Sequence, residues 1–157
     1  MDRLWWTSDD QSGNVDITNK PVAGLSSMLD HPPMAMMQSN RIYQPVGIEI
    51  EVADSYEPTT STLNGSHEYY TAFYFVELDP HVNSSGQRVF DLSINGAPFQ
   101  SGIDIYDEVG LYQGYEIYSN TSHPLGPYQD RFVVDAIATA ASRYPPAMAG
   151  YEVLQLF

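Results

Sequence analysis

The hydrophobic pattern of this chain is that of β-strands, and it is strongest in its middle third. Residues 69–78 carry aromatic or aliphatic side chains on both alternating sets of positions, which is typical of a central strand covered on both faces. In residues 90–94 apolar and polar positions alternate, so a strand with one buried face is predicted, and Asn95-Gly96 then favours a tight hairpin turn. The predicted core residues of these two strands are Phe73, Phe75, Val76, Phe90, Leu92 and Ile94.

Shorter strand patterns surround this pair along the chain. We predict them at residues 15–18, 34–37, 46–52, 103–106, 115–118, 132–141 and 151–157. The segment 132–141 also has apolar spacings that suit a helix, and its strand-rich surroundings favour a strand. About eight to ten short strands separated by turn signals indicate an all-β fold, an antiparallel β-sandwich of the jelly-roll kind. A chain of 157 residues without an internal repeat is expected to form a single domain, residues 1–157.

The charge of the chain narrows the classes of partner. It has 20 acidic and 6 basic residues, a net charge of −14. Nucleic acid and anionic membrane surfaces are therefore not expected as partners, because binding to phosphates needs lysine and arginine. A basic partner would instead be attracted to this surface. No apolar run approaches the roughly 18 residues that span a bilayer, so direct membrane insertion is not expected.

The sequence shows no motif of a familiar catalytic or metal site. There is no cysteine, and His31, His67, His81 and His123 lack the spacings of zinc-binding histidines. Phosphate-binding and dinucleotide-binding glycine motifs and the nucleophile elbow are missing as well. We therefore expect a non-catalytic protein with no metal and no cofactor. The open alternative is a carbohydrate-active enzyme, since any two acidic residues could meet across a cleft as a glycosidase pair.

One turn-rich stretch has the composition of a binding surface. Its candidate ligand-binding residues are Tyr106, Asp107, Glu108, Tyr112 and Tyr115. Tyrosine rings can stack on sugars or anchor a peptide, and carboxylates accept hydrogen bonds from hydroxyl groups or pair with arginine and lysine. The alternative is that these tyrosines only cap the edges of the sandwich, because tyrosine is commonly half-buried.

Three glycosylation sequons suggest an extracellular location. Asn64, Asn83 and Asn120 each begin an Asn-X-Ser/Thr triplet in a polar stretch between predicted strands. Chance occurrence in serine-rich loops is the alternative explanation. The sequons favour a secreted or cell-surface protein, with this chain as the extracellular part of a longer one.

The central block of the sequence resembles malectin and malectin-like domains. Residues 69–78 resemble the family's aromatic strand, residues 87–96 its "R-x-FD-x-x-x-NG" hairpin, and residues 103–110 its "D-I-x-D-x-V-G" segment. Residues 2–5, 32–39 and 145–153 resemble segments of the malectin-like units of plant receptor-like kinases. The resemblance covers nearly the whole chain.

This resemblance implies a β-sandwich binding module without catalytic residues. Malectin is a lectin, and the related plant domains form receptor ectodomains proposed to sense cell-wall carbohydrate or small basic peptides. The acid that malectin's sugar site carries before the last strand has no counterpart in residues 142–146. That departure, with the acids and tyrosines of residues 106–115, favours a basic peptide or protein partner over carbohydrate. A structural dimerisation module is a further alternative, and neighbouring malectin-like or receptor domains are expected in a longer parent chain.

Overall fold

The computed structural model of the protein describes residues 14–42, 50–53, 68–119 and 131–156. Within these ranges lie ten strands, two short α-helices and one 3₁₀ turn. The strands are β1 (Asn14–Ile17), β2 (Ser39–Ile42), β3 (Ile50–Ala53), β4 (Glu68–Val76), β5 (Phe90–Ile94), β6 (Ala97–Ile103), β7 (Gly114–Ser119), β8 (Arg131–Ala138), β9 (Ala147–Met148) and β10 (Gly150–Leu156). The helices are α1 (Met34–Met37) and α2 (Ile105–Val109), and the 3₁₀ turn is Leu25–Ser27.

The strands form three sheets in which every strand pairing is antiparallel. Their orders are β1-β2-β9, β10-β4-β7 and β3-β8-β5-β6. The all-β prediction is thus confirmed. The strands predicted at residues 115–118, 132–141 and 151–157 correspond to β7, β8 and β10. Of the strand predicted at 46–52, only residues 50–52 fall within the described part of the chain, in β3.

Strand β4 is buried on both faces, as its sequence predicts. Phe73 and Phe75 point into a core cluster that includes Phe90 of β5 and Val134 of β8, so this face joins the β10-β4-β7 sheet to the β3-β8-β5-β6 sheet. The alternate residues, Tyr74 among them, point into a second cluster on the opposite side, built from the segment between β1 and β2. All six predicted core residues are buried. Because β4 contributes to both clusters, it connects the layers of the fold.

The hairpin predicted at Asn95-Gly96 joins β5 to β6. Asn95 has a φ of 50° and Gly96 a φ of 78°, and two positive φ values are what a tight turn between twisted strands requires. The carboxylate of Asp91 accepts a hydrogen bond from the Gly102 N–H at 2.7 Å. This bond lies where the β5–β6 register is irregular, and it gives an N–H of the distorted ladder a partner.

Residues 34–37 form the helix α1, and the strand predicted there is wrong. Pro33 precedes the helix with a φ of −60°, and its carbonyl accepts the N–H of Met36 at 3.0 Å. Methionine has a high helix propensity and no branch at Cβ, so nothing opposes the turn that proline starts. Met36 and Met37 are buried in the second cluster, so methionine side chains fill the core at this point.

The strand predicted at residues 103–106 is also wrong beyond its first residue. Strand β6 ends at Ile103, and Asp104 then caps helix α2 by accepting a hydrogen bond from the Asp107 N–H at 3.1 Å. Gly110 ends the helix with a φ of 81°. An aspartate cap and a terminal glycine are both typical helix boundary signals, and here they override the strand-like alternation of Ile103 and Ile105.

Candidate functional site

Helix α2 holds three of the five predicted binding residues on one short element. We call Tyr106, Asp107 and Glu108 the α2 surface. Asp107 and Glu108 are exposed, and Tyr106 is half-buried. The Asp107 carboxylate accepts a hydrogen bond from the Ser85 hydroxyl at 2.5 Å. Two acids therefore face solvent side by side, and one of them is held in place by the neighbouring loop.

The loop between β4 and β5 is tied to the start of α2. The Gly86 N–H donates to the Asp104 carboxylate at 2.5 Å, and the same side chain caps the helix. Asn83, in this loop, is exposed and accessible at one of the predicted sequons, whereas Asn64 and Asn120 lie outside the described residues. The α2 surface and the Asn83 sequon thus belong to one connected region.

The Tyr112 ring already contacts a cationic side chain of its own chain. The Lys20 ammonium lies 4.2 Å from the centre of the Tyr112 ring and donates to the Tyr112 hydroxyl at 3.2 Å. The backbone of Tyr112 has a φ of 58° and is fixed on both sides, with its N–H bonded to the Glu77 carbonyl and its carbonyl to the Ala23 N–H. The ring is thus rigidly presented, and it binds an ammonium group by a cation–π contact.

Tyr115 belongs partly to the core. It lies on β7, packs against the first core cluster, and its ring centre is 6.4 Å from that of Phe75. Burial raises the pKa of the Tyr115 hydroxyl, and the nearby Glu108 carboxylate raises it further. Tyr115 is therefore close to the α2 surface, whereas Tyr112 packs against the second cluster. The structure does not bring all five predicted residues into one site.

A buried ion pair that sequence reasoning did not single out joins two parts of the fold. Arg88 and Glu77 are 2% and 1% exposed, and the Arg88 Nε lies 2.8 Å from a Glu77 carboxylate oxygen. Arg88 also donates to the Pro145 carbonyl, and the Glu77 carboxylate accepts from the Asp79 N–H. Burial raises the pKa of Glu77, and the Arg88 charge opposes that rise. Pro145 lies in the segment where malectin's acid was expected, so this segment is held by a structural contact.

A second polar cluster lies on the other side of β4. The Tyr74 hydroxyl is 3.3 Å from a carboxylate oxygen of Asp30 and 3.2 Å from one of Glu152, and the Tyr70 hydroxyl donates to Asp30. Burial raises the pKa of both tyrosines, and the surrounding carboxylates add to the rise. Glu116 lies near the same group, since its carboxylate accepts from the Leu29 N–H at 2.7 Å. No local spacing in the sequence links these residues.

The position of Glu116 predicts how stability depends on pH. Burial raises its pKa above the ordinary value of 4.5, Asp30 adds to the rise, and the Leu29 N–H opposes it. The folded protein therefore holds this proton more tightly than the unfolded chain does. The stability that the Glu116 proton contributes is fully present below pH 4.5, and it is lost as the pH rises through the raised pKa of Glu116.

We expect Glu116→Gln to flatten the decline in the free energy of unfolding above pH 4.5, measured by urea denaturation between about pH 4 and 8. Glutamine keeps an acceptor for the Leu29 N–H. Parallel pH curves for the two proteins would show that Glu116 does not cause the decline.

No group of three or more histidine, cysteine, aspartate or glutamate side chains in the described part of the chain is arranged to hold a metal ion. His31 and His81 are exposed there. No helix among the described segments is long and apolar enough to cross a membrane.

The family of the chain follows from a match over almost its whole length. A model of the malectin-like domain matches residues 1–156. The chain belongs to the malectin-like domain family, and the resemblance noted in its sequence is confirmed.

Similar proteins include plant receptor kinases. The chain is 23% identical over 166 residues to a nodulation receptor kinase of Pisum sativum, covering 98% of this chain and 15% of that protein. In structure it resembles a chain from the complex of the plant peptide RALF23 with FER and LLG2, with a TM-score of 0.71, 14% identity, and coverage of 91% of this chain and 39% of that one.

The ANX2 ectodomain of Arabidopsis thaliana matches with a TM-score of 0.66 and 16% identity. The match covers 98% of this chain and 42% of the ANX2 chain. A Bacteroides uniformis β-glucuronidase matches with a TM-score of 0.62 and 12% identity. The match covers 98% of this chain and 14% of the glucuronidase chain. The chain spans less than half the length of each of these proteins. At such identities, the structural likenesses show a shared fold.

Proposed function

We propose that this chain is a non-catalytic, extracellular ligand-binding module of the kind found in receptor kinase ectodomains, and that its ligand is a basic peptide or protein segment. The observation that carries the proposal is the α2 surface, where Asp107 and Glu108 stand exposed beside Tyr106. The complex of RALF23 with FER and LLG2, which contains a plant peptide, supports a peptide or protein as the partner.

The α2 surface suits a cationic group better than a neutral one. Its two carboxylates are exposed, so a lysine or arginine of a partner can reach them. The Ser85 hydroxyl fixes the orientation of the Asp107 side chain, which reduces the entropy lost when a ligand binds. Tyr106 adds an aromatic side chain, and the net charge of −14 strengthens the attraction over longer range.

Tyr112 and Tyr115 have different expected parts in this proposal. The Tyr112 ring would receive a ligand cation only if Lys20 moved away, because the Lys20 ammonium lies over it. Tyr115 supports the α2 surface from beneath through its packing against the core. Substitution of Tyr115 would therefore change stability as well as binding, and the acids of α2 give the cleaner test.

We expect the double variant Asp107→Asn and Glu108→Gln to bind a basic peptide about fivefold more weakly, because two exposed charge pairs together contribute about 1 kcal/mol. Calorimetric or fluorescence titration with the peptide measures this loss. The matched control for the single variant Asp107→Asn is Asp91→Asn, which makes the same change at an exposed carboxylate on β5 and should leave the affinity unchanged. Equal losses in these two single variants would mean that only overall charge matters and that the α2 surface is not the site.

The main rival is an enzyme on the same scaffold. The likeness to a β-glucuronidase is a likeness of fold, and that match covers only 14% of the glucuronidase chain. A panel of chromogenic glycosides and wall polysaccharides tests the rival directly. Turnover that a single Asp or Glu substitution abolishes would overturn the non-catalytic proposal.

The extracellular location rests on the sequons and on the family. Asn83 is exposed in the loop between β4 and β5, where a glycan can extend into water. Expression in a secreting eukaryotic host should add glycan mass at Asn83, detected by mass spectrometry and removed by Asn83→Gln. An unmodified Asn83, with Asn64 and Asn120 unmodified as well, would count against a secreted protein.

A further inference from the structure

An exposed patch of mixed apolar and acidic character lies on the face of the β10-β4-β7 sheet opposite α2. We call Leu29, Tyr70, Glu116 and Tyr118 the Tyr118 patch. Leu29 is 57% exposed and Tyr118 is 48% exposed. The rings of Tyr70 and Tyr118 lie 6.3 Å apart at an angle of 30°. The Leu29 N–H donates to the Glu116 carboxylate at 2.7 Å, which attaches the leucine to the edge of the sheet.

The alternation of β7 separates this patch from the α2 surface. Tyr115 and Ile117 pack against the first core cluster, on the side where Ile105 and Val109 of α2 also pack. Glu116 and Tyr118 must then face the other way, since successive side chains of a strand point to opposite faces. Tyr118 is paired with Ala72 of β4, and about half of the tyrosine remains exposed.

The patch combines two aromatic rings, an aliphatic side chain and negative charge. Glu116 is half-buried. Its Oε1 is enclosed, so the oxygen that belongs to the patch is Oε2, which also accepts the Leu29 N–H. Asp30, bonded to the Tyr70 hydroxyl, lies close to Glu116. Exposed large apolar side chains beside one another typically mark a contact surface. The acids beside them determine which partner fits, because a cation placed here would meet negative charge and aromatic faces together.

We propose that the Tyr118 patch is a second docking surface, which binds an arginine-bearing apolar segment of a protein partner. The guanidinium group would stack on the Tyr118 ring and donate to Glu116, while a neighbouring aliphatic side chain covers Leu29. Arginine fits better than lysine, because its planar group can stack and donate at the same time. A second copy of this chain fits poorly, since each copy has a charge of −14 and would place acid against acid.

A short peptide of alternating arginine and leucine tests this proposal. Its affinity for the intact chain is compared with that of the same peptide carrying citrulline, a neutral analogue, in place of arginine. Tyr118→Ser should weaken binding of the arginine peptide at least fivefold, as expected for an aromatic side chain at the centre of a contact. Glu116→Gln should remove most of the preference for arginine over citrulline.

Matched variants separate this surface from the proposed α2 site. Asp107→Asn with Glu108→Gln should leave the effect of Tyr118→Ser unchanged. If these α2 substitutions abolish binding and Tyr118→Ser does not, the second docking surface is overturned and the α2 proposal stands. If Tyr118→Ser alone abolishes binding, the second surface stands and the α2 site fails.

Two further checks keep the test interpretable. Leu29→Ser, at an exposed loop position, provides a second measurement if Tyr118→Ser fails to fold, and it should also weaken binding several-fold. Analytical ultracentrifugation detects self-association. A dimer of the unmodified chain that Tyr118→Ser dissociates would show that the patch binds a second copy, and it would overturn the proposed partner.

Discussion

Replacing Arg88 by methionine should lower the free energy of unfolding by about 3–5 kcal/mol, the usual cost of leaving one member of a buried ion pair alone. Glu77 is 1% exposed, and without the guanidinium its carboxylate keeps a hydrogen bond from the Asp79 N–H. The Pro145 carbonyl would also lose its donor. The central strand and the segment before β9 would thus lose their shared contact.

Urea denaturation at pH 7 and at pH 5 measures this effect and identifies its cause. The loss should shrink at the lower pH, because an unpaired Glu77 binds a proton there and its buried charge disappears. The double variant Glu77→Gln and Arg88→Met, which carries no charge at these two positions, should recover part of the stability at pH 7. A loss below about 1 kcal/mol for Arg88→Met, the range of exposed pairs, would show that this ion pair contributes little.

Phe75→Ala should cost about 3–5 kcal/mol of stability, as deletion of a fully buried phenylalanine does. Phe75 has no exposed surface, and its ring lies 5.7 Å from Phe90 on the facing sheet and 6.4 Å from Tyr115 on the neighbouring strand. Removing the ring opens a cavity between the β10-β4-β7 and β3-β8-β5-β6 sheets, where backbone pairing prevents the strands from closing in.

Thermal or urea unfolding compares this variant with Phe99→Ala, a matched control. Phe99 lies on the edge strand β6, and its ring centre is 5.6 Å from that of Phe73. Phe99 is only half-buried. Its loss should be clearly smaller, because solvent can enter the space that the ring leaves. Equal losses at the two positions would contradict the assignment of the main core to the face of β4 that carries Phe75.

The sequence predicts the β-structure well because strand patterns extend over many residues. The two apolar faces of β4 are visible directly in residues 69–78, and the Asn95-Gly96 turn requires only a dipeptide. Hydrophobic periodicity does not predict the two short helices, since four or five residues are too few to show a helical period. The stronger signals there are local, namely Pro33 before α1 and the Asp104 and Gly110 caps of α2.

The predicted binding residues share one element only where they are neighbours in the chain. Tyr106, Asp107 and Glu108 stay together on α2, whereas Tyr112 packs against the second cluster and Tyr115 against the first. This separation depends on the path of the backbone between the two tyrosines, so it cannot be read from the sequence.

The other polar contacts of the site depend on long-range folding. The hydrogen bonds of Tyr74 to Asp30 and to Glu152 join residues 44 and 78 positions apart. The bond between Lys20 and Tyr112 spans 92 positions. No motif spacing could reveal them, because only the packing of distant segments against one another brings these residues together.

The most direct test of the proposed function is the salt dependence of ligand binding. The affinity of a basic peptide should fall steadily as salt rises from about 50 to 500 mM, because salt screens exposed charges. The variant Asp107→Asn should show a flatter dependence with its fold unchanged. The account would be contradicted by a neutral oligosaccharide that binds at micromolar affinity, keeps that affinity at every salt concentration, and is unaffected by Asp107→Asn.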